Sequence, residues 1–358
     1  MRVVLDTCIF VNDYQMRKKP FRILLYSLCK GMHTLHLPQT VVKEVKNKHR
    51  EELNGFKGKD ISRVMKVIKR TGTIKDTSEQ TIAAEIEEYV SRLESQIQRF
   101  GVSVGSSTCI SADEIINASM QRTKPMSGSD RGVRDMDIWH YALDLAIKNG
   151  SSVAFVTANS NDFLDKSGAQ FHPDLLADMS ERSLSKDAIL PFNNLASFVS
   201  KEVEPHLSKD EQELLCHDWD ILSAIEETLD SKLKGYRPPD PDVIGLSSEC
   251  QNIIVQSVEK LRNPHIEQNI KESDTAFLLH LQATVDFSVT FFENKYVGNP
   301  YMPSDRDYET VPDNAVMPVR VNMRVSIDAS SRSVSSLEIV GCEPDDGRKH
   351  TSVNYIFG

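Results

Sequence analysis

The sequence predicts a doubly wound α/β domain on a parallel sheet, followed by an α+β domain with an antiparallel sheet. Three observations carry that expectation. In the first 200 residues, apolar runs such as Val3-Val4-Leu5 and Val153-Ala154-Phe155-Val156 alternate with segments of helical period. A continuous short apolar run is how a strand buried on both faces reads. Further along, Leu279, Leu281, Ala283, Val285, Phe287, Val289 and Phe291 alternate with polar residues, as do Met317, Val319, Val321, Met323, Val325 and Ile327. Strict period-2 alternation means strands with one wet face. Between these regions Pro238-Pro239-Asp240-Pro241 interrupts any regular element. The expected boundaries are 1–205 for the first domain, 206–242 for a helix and Pro-rich linker, and 243–358 for the second.

Residues 3–6 read as the first buried strand. Phe21, Leu24, Leu25 and Leu28 have the i, i+3, i+4, i+7 spacing of an amphipathic helix. Thr34-Leu35-His36-Leu37 is a short strand stopped by Pro38, after which Thr40 is expected to cap a helix carrying Val41, Val42, Glu44 and Val45. Residues 60–100 are charged and helical in pattern, forming a helical insertion. Ser111-Ala112-Asp113-Glu114 is a capping-box sequence. Pro125 to Gly132 is a loop leading into a helix from about Arg134 to Asn149, which Gly150 ends. Val153 to Val156 is a central parallel strand, and Ile189-Leu190-Pro191 another short one. Helices are expected at Asn194 to Val203 and Lys209 to Lys232. Leu337 and Ile339 mark a third alternating strand in the second domain.

A length of 358 residues suits two domains. No apolar run approaches the roughly 20 residues of a membrane span, and Asp6 interrupts any secretory core near the N-terminus. Six scattered cysteines, none in a CxxC pair, indicate neither a zinc knuckle nor a redox dithiol. Reduced thiols and a cytoplasmic location are the expectation. The net charge of -10 is uneven. Residues 1–75 hold 17 Lys/Arg against 6 Asp/Glu, and the remainder 25 against 46. A basic N-terminal quarter is compatible with a polyanion site or with solvated helix faces.

Four segments deliver an acid near the end of a strand or the start of a helix: Val3-Val4-Leu5-Asp6-Thr7, Val41-Val42-Lys43-Glu44, Asp135-Met136-Asp137-Ile138-Trp139 and Phe155-Val156-Thr157-Ala158-Asn159-Ser160-Asn161-Asp162. Taken singly, each has a plain reading. Asp6 is an N-cap, Glu44 an i,i+4 partner of Lys48, Asp135 or Asp137 a first-turn helix charge, and Asp162 a turn residue. Those readings leave the ordered pattern unexplained. Carboxylates gathered at one sheet edge repel each other and need a cation. Mg²⁺ and Mn²⁺ take oxygen ligands and keep several waters, so a few carboxylates suffice.

Motif by motif, the first 200 residues resemble the PIN domain, the nuclease fold of toxin ribonucleases and RNA-decay factors, in its branch with an Asp-x-x-Ile-Trp third motif. The resemblance does not reach the second domain. It implies a metal-dependent endonuclease acting on nucleic acid, RNA favoured over DNA, of toxin-like or defence type, with Asp6, Glu44, Asp135 and Asp162 as catalytic metal ligands for Mg²⁺ or Mn²⁺. Asp137, Thr157 and Asn159 are secondary candidates. Asp135 and Asp137 lie about 200° apart on a helix, so both cannot face one site. Arg131, Arg134 and Lys43 are candidates for holding substrate phosphate. A regulatory protein partner and a homo-oligomer are compatible with this reading; a membrane association is not. The rival is a PIN-like module that binds RNA or protein and has lost catalysis. A haloacid-dehalogenase-type phosphatase would need a second Asp where Cys8 stands, and a dinucleotide-binding fold a Gly-rich loop that Thr7-Cys8-Ile9-Phe10 lacks. His33, His36, His140 and Trp139 read as ordinary packing or polar residues.

Overall fold

Val3, Val4 and Leu5 have no solvent-accessible surface, and neither have Val153, Ala154, Phe155 and Val156. Fully burying one such side chain is worth about 1.5–3 kcal/mol, which fixes both runs in the middle of a sheet. A computed structural model describes residues 1–55, 79–106, 110–126, 132–150, 152–215, 221–238, 241–246, 250–273, 276–296 and 308–345. The chain divides into two compact units, Met1–Leu207 and Ser208–Gly358.

In the first unit β1 (Arg2–Leu5), β2 (Thr34–Pro38), β3 (Ser103–Gly105), β4 (Val153–Val156) and β5 (Ile189–Phe192) form a parallel sheet in the order β3-β2-β1-β4-β5. The chain winds outward from β1 to β3, then restarts on the other side with β4. The C-terminal ends of β1 and β4 therefore flank the point where the winding reverses, and open α/β sheets place their ligand crevice there. The flanking helices are α1 (Thr7–Val11), α2 (Lys19–Cys29), α3 (Gln39–Asn54), α4 (Glu79–Arg99), α5 (Ala112–Gln121), α6 (Gly132–Asn149), α7 (Ser160–Phe163), α8 (Pro173–Glu181) and α9 (Leu195–Phe198), which continues into a π turn. α3 buries Val41, Val45, His49 and Leu53, one residue per turn. α6 buries Ile138, Trp139, Ala142 and Leu143. The Trp139 ring lies 5.9 Å from Phe155 and 5.0 Å from Phe171, and its Nε1 donates to Asp178 at 2.8 Å.

Three local expectations are corrected. Thr40 does not cap α3: the helix starts at Gln39 behind Pro38, whose fixed φ already suits that position, and the Thr40 hydroxyl donates to Asp137 instead. β3 was not expected, because Ser103-Val104-Gly105 is a three-residue edge strand with no apolar run. The single helix expected from Lys209 to Lys232 is α10 (Lys209–Leu214) and α11 (Ile221–Leu233), with residues 216–220 outside the described ones. Much of the expected 60–100 helix, the loop residues Ser127–Arg131, and Pro239 and Asp240 of the linker also lie outside them.

The second unit is a four-stranded antiparallel sheet, β6 (Gln251–Lys271), β7 (Ala276–Tyr296), β8 (Tyr308–Asp328) and β9 (Ser333–Pro344), in sequence order. Phe277, Leu279, Leu281, Val285 and Phe287 share its buried face with Val319, Val321, Met323 and Val325. Strand β6 escaped sequence reading because its pairing with β7 shifts register five times. Each bulge sets two residues against one and breaks the period of two. α11 packs on β6 and β9. Its acids cover irregular parts of the β6 edge: Asp230 accepts from the Val258 N–H at 2.8 Å and Glu226 from that of Leu261 at 3.0 Å. No helix among the described residues is long and apolar enough to cross a membrane.

Candidate active site

Asp6 stands one residue beyond β1, and its N–H donates to Val156 O at 3.0 Å, so it extends the central pairing. Its side chain is only 4% exposed and makes no capping bond to α1. The carboxylate instead accepts from the Thr157 hydroxyl at 2.6 Å and from the Cys8 thiol at 3.0 Å. Burial holds its pKa above the ordinary carboxylate range and the Glu44 charge adds to that, against the pull of the two side-chain bonds. Thr157 thus joins the ends of β1 and β4, where the winding reverses.

The other acids converge on this crevice from three further elements. Glu44, on the second turn of α3, accepts from the Thr7 hydroxyl at 2.8 Å and from Arg134 at 2.6 Å, and lies 3.4 Å from Lys48 Nζ. Asp135 occupies the first turn of α6. Its pKa is pushed up to about 7 by burial, then by the charges of Asp6, Asp162 and Glu44, with Arg134 opposing. Asp162, in α7, accepts from Lys124 Nζ and from Asn159 Nδ2, each at 3.0 Å. The Asn159 amide also lies 3.5 Å from Asp135. Two cations, Lys124 and Arg134, offset part of the negative charge gathered here.

The remaining candidates separate clearly. Asp137 is 8% exposed and its carboxylate holds Thr40 at the start of α3, so it braces α6 against α3. Arg134 reaches Glu44. Lys43 is exposed on α3, and Arg131 lies outside the described residues. Thr7, Cys8 and Lys124 were not picked out from sequence. Thr7 and Cys8 directly follow Asp6, which was the available signal. Lys124 lies 38 residues from Asp162 and carried none.

Four carboxylates, the Thr7 and Thr157 hydroxyls and the Asn159 amide offer oxygen, which suits a hard divalent ion, and the Cys8 thiol beside them is turned to Asp6 as a hydrogen-bond donor. Among the described residues no three His, Cys, Asp or Glu side chains stand close enough together to hold an ion directly. A magnesium-type ion tolerates that spacing, because it keeps several of its waters and contacts only one or two carboxylates itself.

Residues 3–163 match the family model described as PIN domain. The N-terminal region is a PIN-like domain. The match runs from β1 through α7, so it takes in Asp6, Glu44, Asp135 and Asp162 and leaves out the second unit. PIN domains are generally nucleases and typically use divalent metals. No curated protein and no solved structure matches the chain.

Proposed function

We propose that this PIN domain is a metal-dependent endoribonuclease whose Asp6, Glu44, Asp135 and Asp162 hold Mg²⁺ or Mn²⁺ at the C-terminal edge of the sheet. The observation that supports it most is the shared electrostatics of the four acids. Asp135 is pushed to about 7 in part by the charges of Asp6, Asp162 and Glu44, three residues on three other elements. A pocket that concentrates negative charge in this way attracts a divalent cation. When bound, such an ion activates water and stabilises the departing oxygen of a phosphodiester. The chain's own residues do the rest. Thr157 and Cys8 orient Asp6. Asn159 fixes Asp162. Arg134, 53% exposed beside Glu44, is placed to meet a phosphate. RNA is the proposed substrate from the family resemblance.

The test is cleavage of single-stranded RNA with Mg²⁺ or Mn²⁺ and with EDTA. Cleavage that needs the ion supports the reading. A second reading, a module that binds RNA or protein without cutting it, draws on the Lys124–Asp162 and Arg134–Glu44 pairs, which already neutralise two acids. Retained RNA binding with no turnover in either metal decides for that reading.

Salt gives an independent check on phosphate contact. Three to four phosphate contacts on a single strand imply a log–log slope of about -2 to -3, or roughly 30-fold weaker binding between 50 and 200 mM salt. Fluorescence anisotropy in EDTA measures this. An affinity that does not change with salt means that the basic residues of α3 and α6 do not touch the backbone.

A further inference from the structure

Lys124 has two surroundings. Its ammonium pairs with Asp162 at the acidic site, and its side chain also walls an open groove with an empty volume of about 1080 Å³. The groove runs along the C-terminal edge of the sheet on the β5 side of the acids. Its other walls come from Ala158 in the β4–α7 link, Asn161 in α7, the α7–α8 loop with Lys166 and His172, and the β5–α9 link with Asn193 and Asn194.

The walls are preformed. Asp165 accepts from the Ser167 hydroxyl at 2.7 Å and from the N–H groups of Ala169 and Gln170 at 3.2 and 3.3 Å, which folds the α7–α8 loop on itself. Gly168, at φ +70°, turns that loop within reach of Asn193, in a conformation that side chains rarely adopt. Lys124 is held at its backbone, where its N–H donates to Asp174 at 2.9 Å. Asn194 caps α9 through Ser197 N at 2.7 Å and donates to Asn193 Oδ1 at 2.9 Å, which orients the Asn193 amide and leaves its Nδ2 outside that bond.

The charges facing the groove are unequal in what they still have to offer. The acid on its wall, Asp165, is engaged by its own loop, and the neighbouring Asp162 and Asp174 are engaged by Lys124 and Asn159 and by Lys124 N. Lys166 is exposed and has no ion-pair partner among the described residues. A polyelectrolyte cut at the acids must leave the site along one side or the other, and this side offers the exposed Lys166 ammonium, the Lys124 ammonium shared with Asp162, and the amides of Asn161, Asn193 and Asn194.

We propose that this groove seats the nucleotide next to the scissile phosphate of a single-stranded polynucleotide, Lys124 and Lys166 meeting its phosphate and Asn161 and Asn193 its base edge. An unpaired strand is the fitting ligand, because amides read base edges that only unstacked bases present. The proposal rests on the nuclease reading for what the neighbouring acids do, and on the groove itself for what binds there.

The experiment uses the full chain with Lys166→Glu and Asn193→Ala, which touch none of the acids. A short fluorescent single-stranded RNA titrated in EDTA should bind about tenfold more weakly to Lys166→Glu and measurably more weakly to Asn193→Ala. With Mn²⁺, KM for the RNA should rise while kcat stays close to wild type. Hydrolysis of bis(p-nitrophenyl) phosphate, too small to reach the groove, should not change. RNA affinity equal to wild type in both variants overturns the groove. If the wild type hydrolyses neither substrate, the nuclease reading fails, and the loss of RNA binding in the variants still supports the groove as a strand-binding site.

Discussion

Asp6→Asn is expected to lower metal-dependent RNA cleavage by about 10³-fold or more, roughly 4 kcal/mol of transition-state stabilisation, without lowering the melting temperature of the metal-free protein. The two halves of that result test different things. The substitution preserves shape and volume in a site that is 4% exposed. The Thr157 hydroxyl and Cys8 thiol, which now donate to the carboxylate, can rotate to accept from an amide. Burial already penalises the ionised carboxylate, holding its pKa up. Removing the charge therefore relieves a cost in the folded state, and the metal-free domain should melt at the same temperature or higher. A buried Asp kept for structure behaves in the opposite way, losing stability when its charge-assisted bonds weaken. Cleavage within tenfold of wild type sets Asp6 aside as a ligand. A large fall in melting temperature makes it a structural residue, and the loss of activity then says nothing about chemistry.

The four acids could be picked out from sequence because each stands at the end or start of an element with a short local signature. Asp6 follows a three-residue apolar run, and Asp162 lies six residues beyond another. Asp135 and Glu44 sit at the starts of helices whose apolar spacing is regular. Pairings between distant elements were not legible. The Thr40–Asp137 bond spans 97 residues and the Lys124–Asp162 pair 38, and no periodicity encodes either. Helix geometry said only that Asp135 and Asp137, about 200° apart, cannot both face one site; the preference for Asp135 came from the family motif, and in the structure Asp137 holds Thr40 at the start of α3. The missed strands have separate causes. β3 is too short to show a period, and the bulges of β6 erase the one it would have had. The same antiparallel sheet was legible in β7, whose pairing with β8 runs without a shift over its whole length.

Divalent metal should raise the melting temperature of the N-terminal unit, and by more at pH 8 than at pH 6. At a free ion concentration about 100 times Kd the gain is about 2.7 kcal/mol, or roughly 5–10 °C for a unit of this size. The pH dependence follows from Asp135. Its folded pKa is raised from the ordinary 3.8 to about 7, so between those values the folded state holds a proton that the unfolded chain has lost. Stability from that proton is fully present below about pH 4 and is lost as pH rises through about 7. The metal-free protein therefore loses stability over the range in which the acids become fully charged. Metal binding works against the same proton. A ligand with a pKa near 7 is mostly ionised at pH 8 and mostly protonated at pH 6, so apparent affinity falls about tenfold between them and the stabilisation by about 1.4 kcal/mol. Buried histidines also titrate in the folded state, His33 and His49 both being lowered to about 4 by burial, so the comparison is wild type against Asp135→Asn at each pH. Asp135→Asn should melt higher than wild type at pH 8 without metal and show a smaller gain with Mg²⁺ or Mn²⁺ that no longer depends on pH. Asp6→Asn should shrink the gain at both pH values. Melting curves that respond to the ions equally at pH 6 and pH 8 in the wild type would place Asp135 outside the metal's reach, and curves that do not respond to millimolar metal at either pH would remove the ion from the site altogether.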